Sequence, residues 1–298
     1  MDLELPAQLD GRHVLVVPAG TDVLALATAW FPEARWERRP GAVAATPAAP
    51  PMTGARFRGM VQAVPTQEDP GGVIRLDADC SLLGPTPLAA DRLDGYALEG
   101  SAPGGLTGAA LDLAAGWLTA AARRCGGRVV TADRSRTIAP DPASMVDLSL
   151  WSPVPLAVQD ALAVARPAMV GARVGPTDVP HPSQRLGPQS FAVTATFEYD
   201  GAVSLRTERS TEVPVVLATL DWREYGPWAY HVVWQPLEPE QLAEEVPSPL
   251  HVIARQRVAP TIARVVAALW RTAGGVVVDG GGFVVTPDEL RDRSFPAG

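Results

Sequence analysis

Apolar and polar positions follow the same succession of patterns in both halves of the chain. A short apolar run comes first, at residues 14–17, and an alternating one occupies residues 146–151. Both patterns predict strands. Amphipathic stretches follow at 22–30 and 156–166, and a proline ends each of them because proline cannot continue a helix. Each half is therefore predicted to open with a strand and a helix.

The next part of each half is predicted to hold three strands. Linkers rich in proline, glycine or alanine, at 40–54 and 171–188, predict exposed loops. Apolar alternation then predicts one hairpin in each half: 57–64 with 73–78, and 191–199 with 202–207. The second hairpin turns at Asp200-Gly201, where glycine supplies a positive φ. A third strand is predicted at 96–98 and at 230–234.

A long helix and a closing hairpin are predicted to complete each half. Helical spacing places two apolar sets on one face each: Leu106, Ala110, Leu113, Trp117 and Ala121, and Ile262, Val265, Val266 and Leu269. Both helices reach a Gly-Gly pair, where a left-handed cap is favourable. The closing hairpins pair 128–131 with 137–139, and 276–279 with 283–286.

Three sequence blocks recur in the same order, which predicts a tandem duplication. The blocks align Pro18 with Pro153, Leu76 with Leu205, and Cys125 with Ala273. We therefore predict an α+β protein with two repeats, residues 1–143 and 144–298. Each repeat is a β-α-β-β-β-α-β-β unit with helices packed on a mainly antiparallel sheet, and a pseudo-twofold axis relates the two.

Composition excludes several kinds of chemistry. The chain contains no lysine, no asparagine and only four isoleucines, a bias that indicates a GC-rich bacterial genome. Without lysine there is no Schiff-base, P-loop or kinase-type lysine. A net charge of −8 argues against a general nucleic-acid or anionic-membrane binder. No apolar stretch long enough to cross a membrane is free of charges or glycine clusters.

The remaining motifs favour a protein without catalysis or cofactor. No G-x-S-x-G motif occurs, and the four histidines have neither helical metal-binding spacing nor cysteine neighbours. An acidic N-terminus without an apolar run does not resemble a secretory signal. Together with only two cysteines, this predicts a cytoplasmic protein with no metal site.

Residues 221–234 hold three tryptophans and two tyrosines, whereas the corresponding residues 91–100 contain a single tyrosine. The common fold therefore does not require this aromatic segment. The candidate binding residues are Trp222, Arg223, Tyr225, Trp228, Tyr230, His231 and Trp234. Alternatively, the rings belong to a core or to a contact between the halves. Both interpretations stay open at this stage.

These observations favour a non-catalytic protein that binds another protein, as an adaptor, a chaperone-like factor or an immunity-type protein would. The alternative is a small-molecule binder or enzyme with a pocket between the two repeats. Its polar set would be Asp221, Arg223, Glu224, Tyr230 and His231.

Overall fold

A computed structural model describes residues 5–41, 71–88, 92–101, 105–175 and 190–295. The chain divides into two compact units. The first comprises Met1–Leu24 and Glu33–Ala139, and the second comprises Ala25–Pro32 and Pro140–Gly298. Within the second unit, the indole N–H of Trp30 donates a hydrogen bond to the carbonyl of Gly281 at 2.9 Å.

The first unit contains seven described strands and one long helix. Its strands are β1 (Val14–Pro18), β2 (Arg35–Arg38), β3 (Val73–Arg75), β4 (Cys80–Leu88), β5 (Leu93–Gly100), β6 (Arg128–Val130) and β7 (Thr137–Ile138). The short helix α1 (Val23–Thr28) crosses the division between the units, and α2 (Gly108–Cys125) is the long helix.

The second unit also contains seven described strands. They are β8 (Leu148–Ser152), β9 (Arg173–Gly175), β10 (Phe191–Phe197), β11 (Gly201–Arg209), β12 (Trp228–Gln235), β13 (Val276–Asp279) and β14 (Val284–Val285). Its helices are α3 (Val158–Ala165), α4 (Trp222–Tyr225), α5 (Pro249–Ala273) and α6 (Pro287–Ser294).

Each unit forms one seven-stranded antiparallel sheet, and the two sheets have the same strand order. The first sheet runs β2-β3-β4-β5-β1-β6-β7, and the second runs β9-β10-β11-β12-β8-β13-β14. Leu15 of β1 pairs with Tyr96, as Leu150 of β8 pairs with Tyr230. The protein is therefore mixed α+β, and its two sheets are compatible with a duplicated unit.

The structure differs from the predicted unit in the number of strands. Four described strands, and not three, separate the two helices of each half, because β2 and β9 follow the first helix. The predicted hairpin of 57–64 with 73–78 was wrong, because β3 pairs with β2 on one side and with the unpredicted β4 on the other. β9 lies inside the linker predicted at 171–188. The predicted strand 57–64 lies outside the described residues.

The middle block of the repeat also has a different register in the structure. Leu82 pairs with Leu98, and Leu205 pairs with Val232, two positions after the equivalent tyrosines Tyr96 and Tyr230. The structural counterpart of Leu205 is therefore Leu82. The predicted match of Leu76 with Leu205 was wrong, because β4 begins only after the turn at residues 76–79.

The long helices cover one face of their sheets as the apolar periodicity predicted, with two exceptions in α2. The four predicted residues of α5 (Ile262, Val265, Val266 and Leu269) are fully buried in the core of the second unit. In α2, Trp117 and Ala121 are buried, but Leu113 is 46% exposed, and Leu106 precedes the helix, which begins at Gly108. Ala114 and Leu118 complete the buried face there, so the stripe is rotated slightly from the predicted one.

Candidate functional site

The aromatic segment separates into a surface helix and a core strand. Asp221 caps α4, with its carboxylate accepting a hydrogen bond from the Arg223 amide at 3.0 Å. β12 follows, and alternation places Trp228, Tyr230 and Trp234 on its helix-facing side. All three belong to the main core of the second unit, and Tyr230 is fully buried. These rings stabilise the unit from inside.

Tyr230 has a specific structural role at the start of the unit. Its hydroxyl accepts a hydrogen bond from the Leu156 amide and donates one to the Val154 carbonyl, both at 2.7 Å. It thereby ties β12 to the turn before α3, and burial raises its pKa. The equivalent Tyr96 is buried too, and burial, reinforced by Asp94 and Asp22, raises its pKa to about 12. The tyrosine is thus common to both units.

His231 faces the opposite side of β12, where it joins a polar network. Its Nδ1 lies 2.8 Å from the Ser149 hydroxyl, and its Nε2 lies 3.4 Å from a Glu208 carboxylate oxygen. Trp151 contacts the imidazole edge-on, with the ring centroids 6.2 Å apart. Burial lowers the pKa of His231; Glu208 opposes this effect, and Arg206 adds to it. Burial therefore favours the neutral imidazole.

The arrangement of serine, histidine and glutamate resembles a hydrolytic triad in composition only. Ser149 lies in mid-strand and pairs with His231 on one side and with Val278 on the other. The amides around it therefore serve the sheet ladder and cannot form an oxyanion site. The network links three adjacent strands, and sequence analysis missed Ser149 and Glu208 because only the pairing of β8, β11 and β12 brings them together.

The polar residues proposed for a pocket do not converge. Tyr230 and His231 point to opposite faces of one strand, and Asp221 is engaged in capping α4. On α4, Trp222 is 62% exposed, and the Arg223 guanidinium lies 5.7 Å from its ring centroid. Tyr225 is half-buried against a small cluster that includes Leu217 and Ala229. Residues 221–224 are the exposed part of the aromatic segment, and Trp222 is its exposed ring.

A larger exposed apolar region lies beyond the other end of β12, in residues 237–253, which we name the acidic apolar segment. Its exposed apolar side chains are Leu237, Leu242, Val246, Leu250 and Ile253, with exposed fractions of 42 to 86%. Four exposed glutamates lie between these apolar residues in the sequence: Glu238, Glu240, Glu244 and Glu245. The four glutamates are evident in the sequence, but the exposure of the apolar side chains beside them is not.

Hydrogen bonds and one ring contact hold this segment in place. The Gln241 side chain accepts a hydrogen bond from the Ser248 amide at 2.7 Å, and Ser248 caps α5. The buried His251, in the first turn of α5, lies against Trp234 with the ring centroids 4.8 Å apart. The Trp234 indole donates to the Asp200 carbonyl at 2.7 Å. A core tryptophan thus anchors the helix that presents Leu250 and Ile253.

The acidic apolar segment has no counterpart in the first unit. There, residues 101–107 connect β5 to α2, whereas residues 236–248 connect β12 to α5. α5 has 25 residues and α2 has 18. When the two helices are aligned on the Gly-Gly pairs that follow them, residues 249–255 of α5 lie before the position at which α2 begins. The exposed apolar side chains therefore belong to an addition that this fold does not require.

Within the described ranges, no group of three or more His, Cys, Asp or Glu side chains is placed to hold a metal ion. Nor does any helix in the described part of the chain have the length and apolarity needed to cross a bilayer. Comparison with protein-family models, curated proteins and solved structures finds no match for this chain.

Proposed function

We propose that this protein binds another protein through the acidic apolar segment, without catalysis. One observation carries the proposal: five large apolar side chains are exposed within residues 237–253, in an addition specific to the second unit. Large exposed apolar patches with polar rims are typical of interaction sites. We further infer that the chain arose by duplication, and that the second copy acquired this surface afterwards.

The chemistry of the segment defines the partner it fits. The apolar side chains supply contact area, and the glutamates around them favour a partner with arginine or lysine beside an apolar groove or helix. The charges accelerate encounter and make it salt-dependent, while the apolar contacts determine how slowly the complex dissociates. We place this binding in the cytoplasm, where the free thiols of Cys80 and Cys125 would stay reduced.

The test compares charge insertions at matched exposed positions. Val246→Glu and Leu250→Glu are expected to abolish partner binding without lowering the melting temperature, because both side chains are at least 78% exposed. Val170→Glu is the control, since Val170 is 77% exposed and lies outside the segment. A partner captured by the wild-type protein would be purified, and its Kd measured by calorimetry with each variant.

The possible outcomes distinguish binding through the acidic apolar segment from binding through α4. Loss of binding with the two segment variants, and retention with Val170→Glu, supports the proposal. Retention with all three variants contradicts it. Loss with Trp222→Ala alone would transfer the interaction to α4, at the opposite end of β12.

A further inference from the structure

A groove lies within the second unit, between α3, α5 and α6. It encloses about 460 Å³, within the range of pockets that bind small molecules. Its apolar lining includes Val164, Ala168, Ala267, Ala268, Leu290 and Phe295. Three of these are alanines: Ala267 and Ala268 lie on α5, and Ala168 lies in the turn after α3. Their short side chains leave a channel that larger side chains would fill.

Two aromatic rings border the groove. The indole N–H of Trp270 donates to the Gly275 carbonyl at 3.0 Å, which fixes the ring beside the end of α5. Phe295 is 72% exposed although it follows directly after α6. An exposed phenylalanine beside an alanine-lined channel offers an apolar wall that an occupant would cover.

Among the described residues that line the groove, only the arginines are charged. Arg264, Arg271 and Arg291 border the groove, and no carboxylate does so among the described residues. This local excess of positive charge occurs in a chain whose net charge is −8. The groove therefore combines an apolar floor with a cationic rim, which is complementary to an anion that carries an apolar chain.

Two of the three guanidinium groups have partners on their own helices. Arg264 bonds to its own helix, through the Pro260 carbonyl at 3.1 Å and the Thr261 hydroxyl at 3.3 Å. Arg291 pairs with Asp288 at 2.8 Å, but both side chains are about two-thirds exposed or more, so the pair is weak. Replacing the Asp288 carboxylate by a ligand carboxylate at Arg291 therefore costs little free energy.

The described part of the first unit lacks several residues that make this groove, although Arg123 occupies the place of Arg271. Counted from the Gly-Gly ends, Gly116 and Ala122 occupy the places of Arg264 and Trp270. After β7, a single turn at Pro142–Ser144 follows where the second unit has α6. The groove is thus a specific feature of the second unit, at a different place from the acidic apolar segment.

We propose that this groove binds one free medium-chain carboxylate, with its head at the arginines and its alkyl chain along the alanine floor. The probe is decanoate, titrated into the full-length protein by calorimetry, with decanol and decylamine as neutral and cationic controls. We expect one decanoate per chain, weaker binding of decanol and no binding of decylamine. Each CH₂ added within the groove should lower Kd about fourfold.

Variants test the two halves of the site separately. Arg271→Gln together with Arg291→Gln should raise the Kd for decanoate about tenfold or more, because charge-assisted hydrogen bonds are lost. Arg257→Gln is the control: it also removes a positive charge from α5, but Arg257 does not line the groove. Ala268→Phe should block decanoate by filling the floor, and circular dichroism would verify its fold.

Several results would overturn the proposal. They are no heat with decanoate, equal binding of decylamine, or unchanged affinity in both the arginine and the Ala268→Phe variants. Sedimentation in the absence of decanoate tests whether a second copy of the chain occupies the groove. A dimer that Ala268→Phe converts to a monomer would assign the groove to that second copy. Binding to phosphatidylglycerol vesicles but not to decanoate would assign it to a membrane surface.

Discussion

The imidazole of His251 lies against the indole of Trp234, with the ring centroids 4.8 Å apart and the planes inclined by 49°. Trp234 is 5% exposed and His251 is 7% exposed, so the contact is internal. It joins the last part of β12 to the first turn of α5. Trp234 therefore influences the acidic apolar segment indirectly, because it positions the first turn of α5.

Substitutions at His251 should show whether the ring stabilises the protein by packing against Trp234. His251→Ala is expected to lower the free energy of unfolding by about 1 to 3 kcal/mol at pH 8, because a buried ring contact is lost. His251→Phe should lose less, since it retains a ring against Trp234. Urea denaturation followed by tryptophan fluorescence measures both, and equal losses would contradict a packing role.

The same position should contribute to the pH dependence of stability. Burial, reinforced by Arg255 and opposed by Glu238, lowers the pKa of His251 below 6.5. The unfolded chain therefore takes up this proton at a higher pH than the folded chain. This contribution is complete above pH 6.5 and is lost as the pH falls below it.

Comparison of wild type with His251→Phe isolates that contribution. The variant should lose less stability between pH 7 and 5, whereas His231, whose pKa is also lowered, keeps its own contribution in both proteins. Urea denaturation at pH 8, 7, 6 and 5 provides the measurement. Identical slopes for the two proteins would show that His251 does not contribute to acid sensitivity.

Asp147 provides a second test, at the backbone of Trp234. Its carboxylate accepts a hydrogen bond from the Trp234 amide at 2.8 Å, and burial raises its pKa despite that bond. Asp147→Asn retains an acceptor without a buried charge, so we expect equal or greater stability at pH 7. Asp147→Ala leaves the amide unpaired and should cost about 1 to 3 kcal/mol. A loss with Asn as large as that with Ala would show that the charge itself is needed.

Two glycines with similar positive φ angles allow backbone strain to be distinguished from a steric collision. Gly201 has a φ of +82° and Gly171 a φ of +79°. A Cβ at Gly201 would overlap the Gln235 carbonyl, whereas nothing lies within 4 Å of one at Gly171. Gly171→Ala should cost about 1 to 2 kcal/mol from backbone conformation alone. Gly201→Ala should cost more, as thermal unfolding would show; equal costs would exclude the predicted collision.

A buried arginine supports the start of the second unit. Arg255 is 4% exposed and pairs with the Asp141 carboxylate. Asp141→Ala should destabilise the second unit by about 2 to 4 kcal/mol, because it leaves a buried charge unpaired. Asp288→Ala, which breaks an exposed pair with Arg291, is the control and should cost less than about 1 kcal/mol. Similar losses would mean that solvent reaches Arg255 more easily than its burial indicates.

Sequence periodicity predicted those elements whose burial follows a regular pattern. The apolar stripe of α5 and the hairpin of β10 and β11 are examples, because each packs one continuous face on a core. β2 and β9 gave no such signal: they are short edge strands with mostly exposed residues, so neither alternates. β4 contains Gly84-Pro85, a dipeptide typical of turns, and the structure accommodates it where the pairing shifts between Leu83 and Thr86.

The candidate site was harder to predict than the fold. The difference in aromatic content between the halves indicated a specialised second unit, but most of those rings are in its core. The sequence did not identify the acidic apolar segment as an interaction surface, because four glutamates are typical of a solvated loop. Whether Leu242 or Val246 is exposed depends on which surfaces the folded helices leave uncovered, and local pattern does not contain that information.

The hydrogen bond from Trp30 to Gly281 joins residues that are 251 positions apart. During synthesis the ribosome releases Trp30 long before the strands of its own unit exist, and Gly281 emerges close to the end of translation. The second unit therefore cannot be completed co-translationally until nearly the whole chain has been made. A gene split between residues 139 and 140 would separate Trp30 from Gly281, so the two fragments would have to reassociate to restore the second unit.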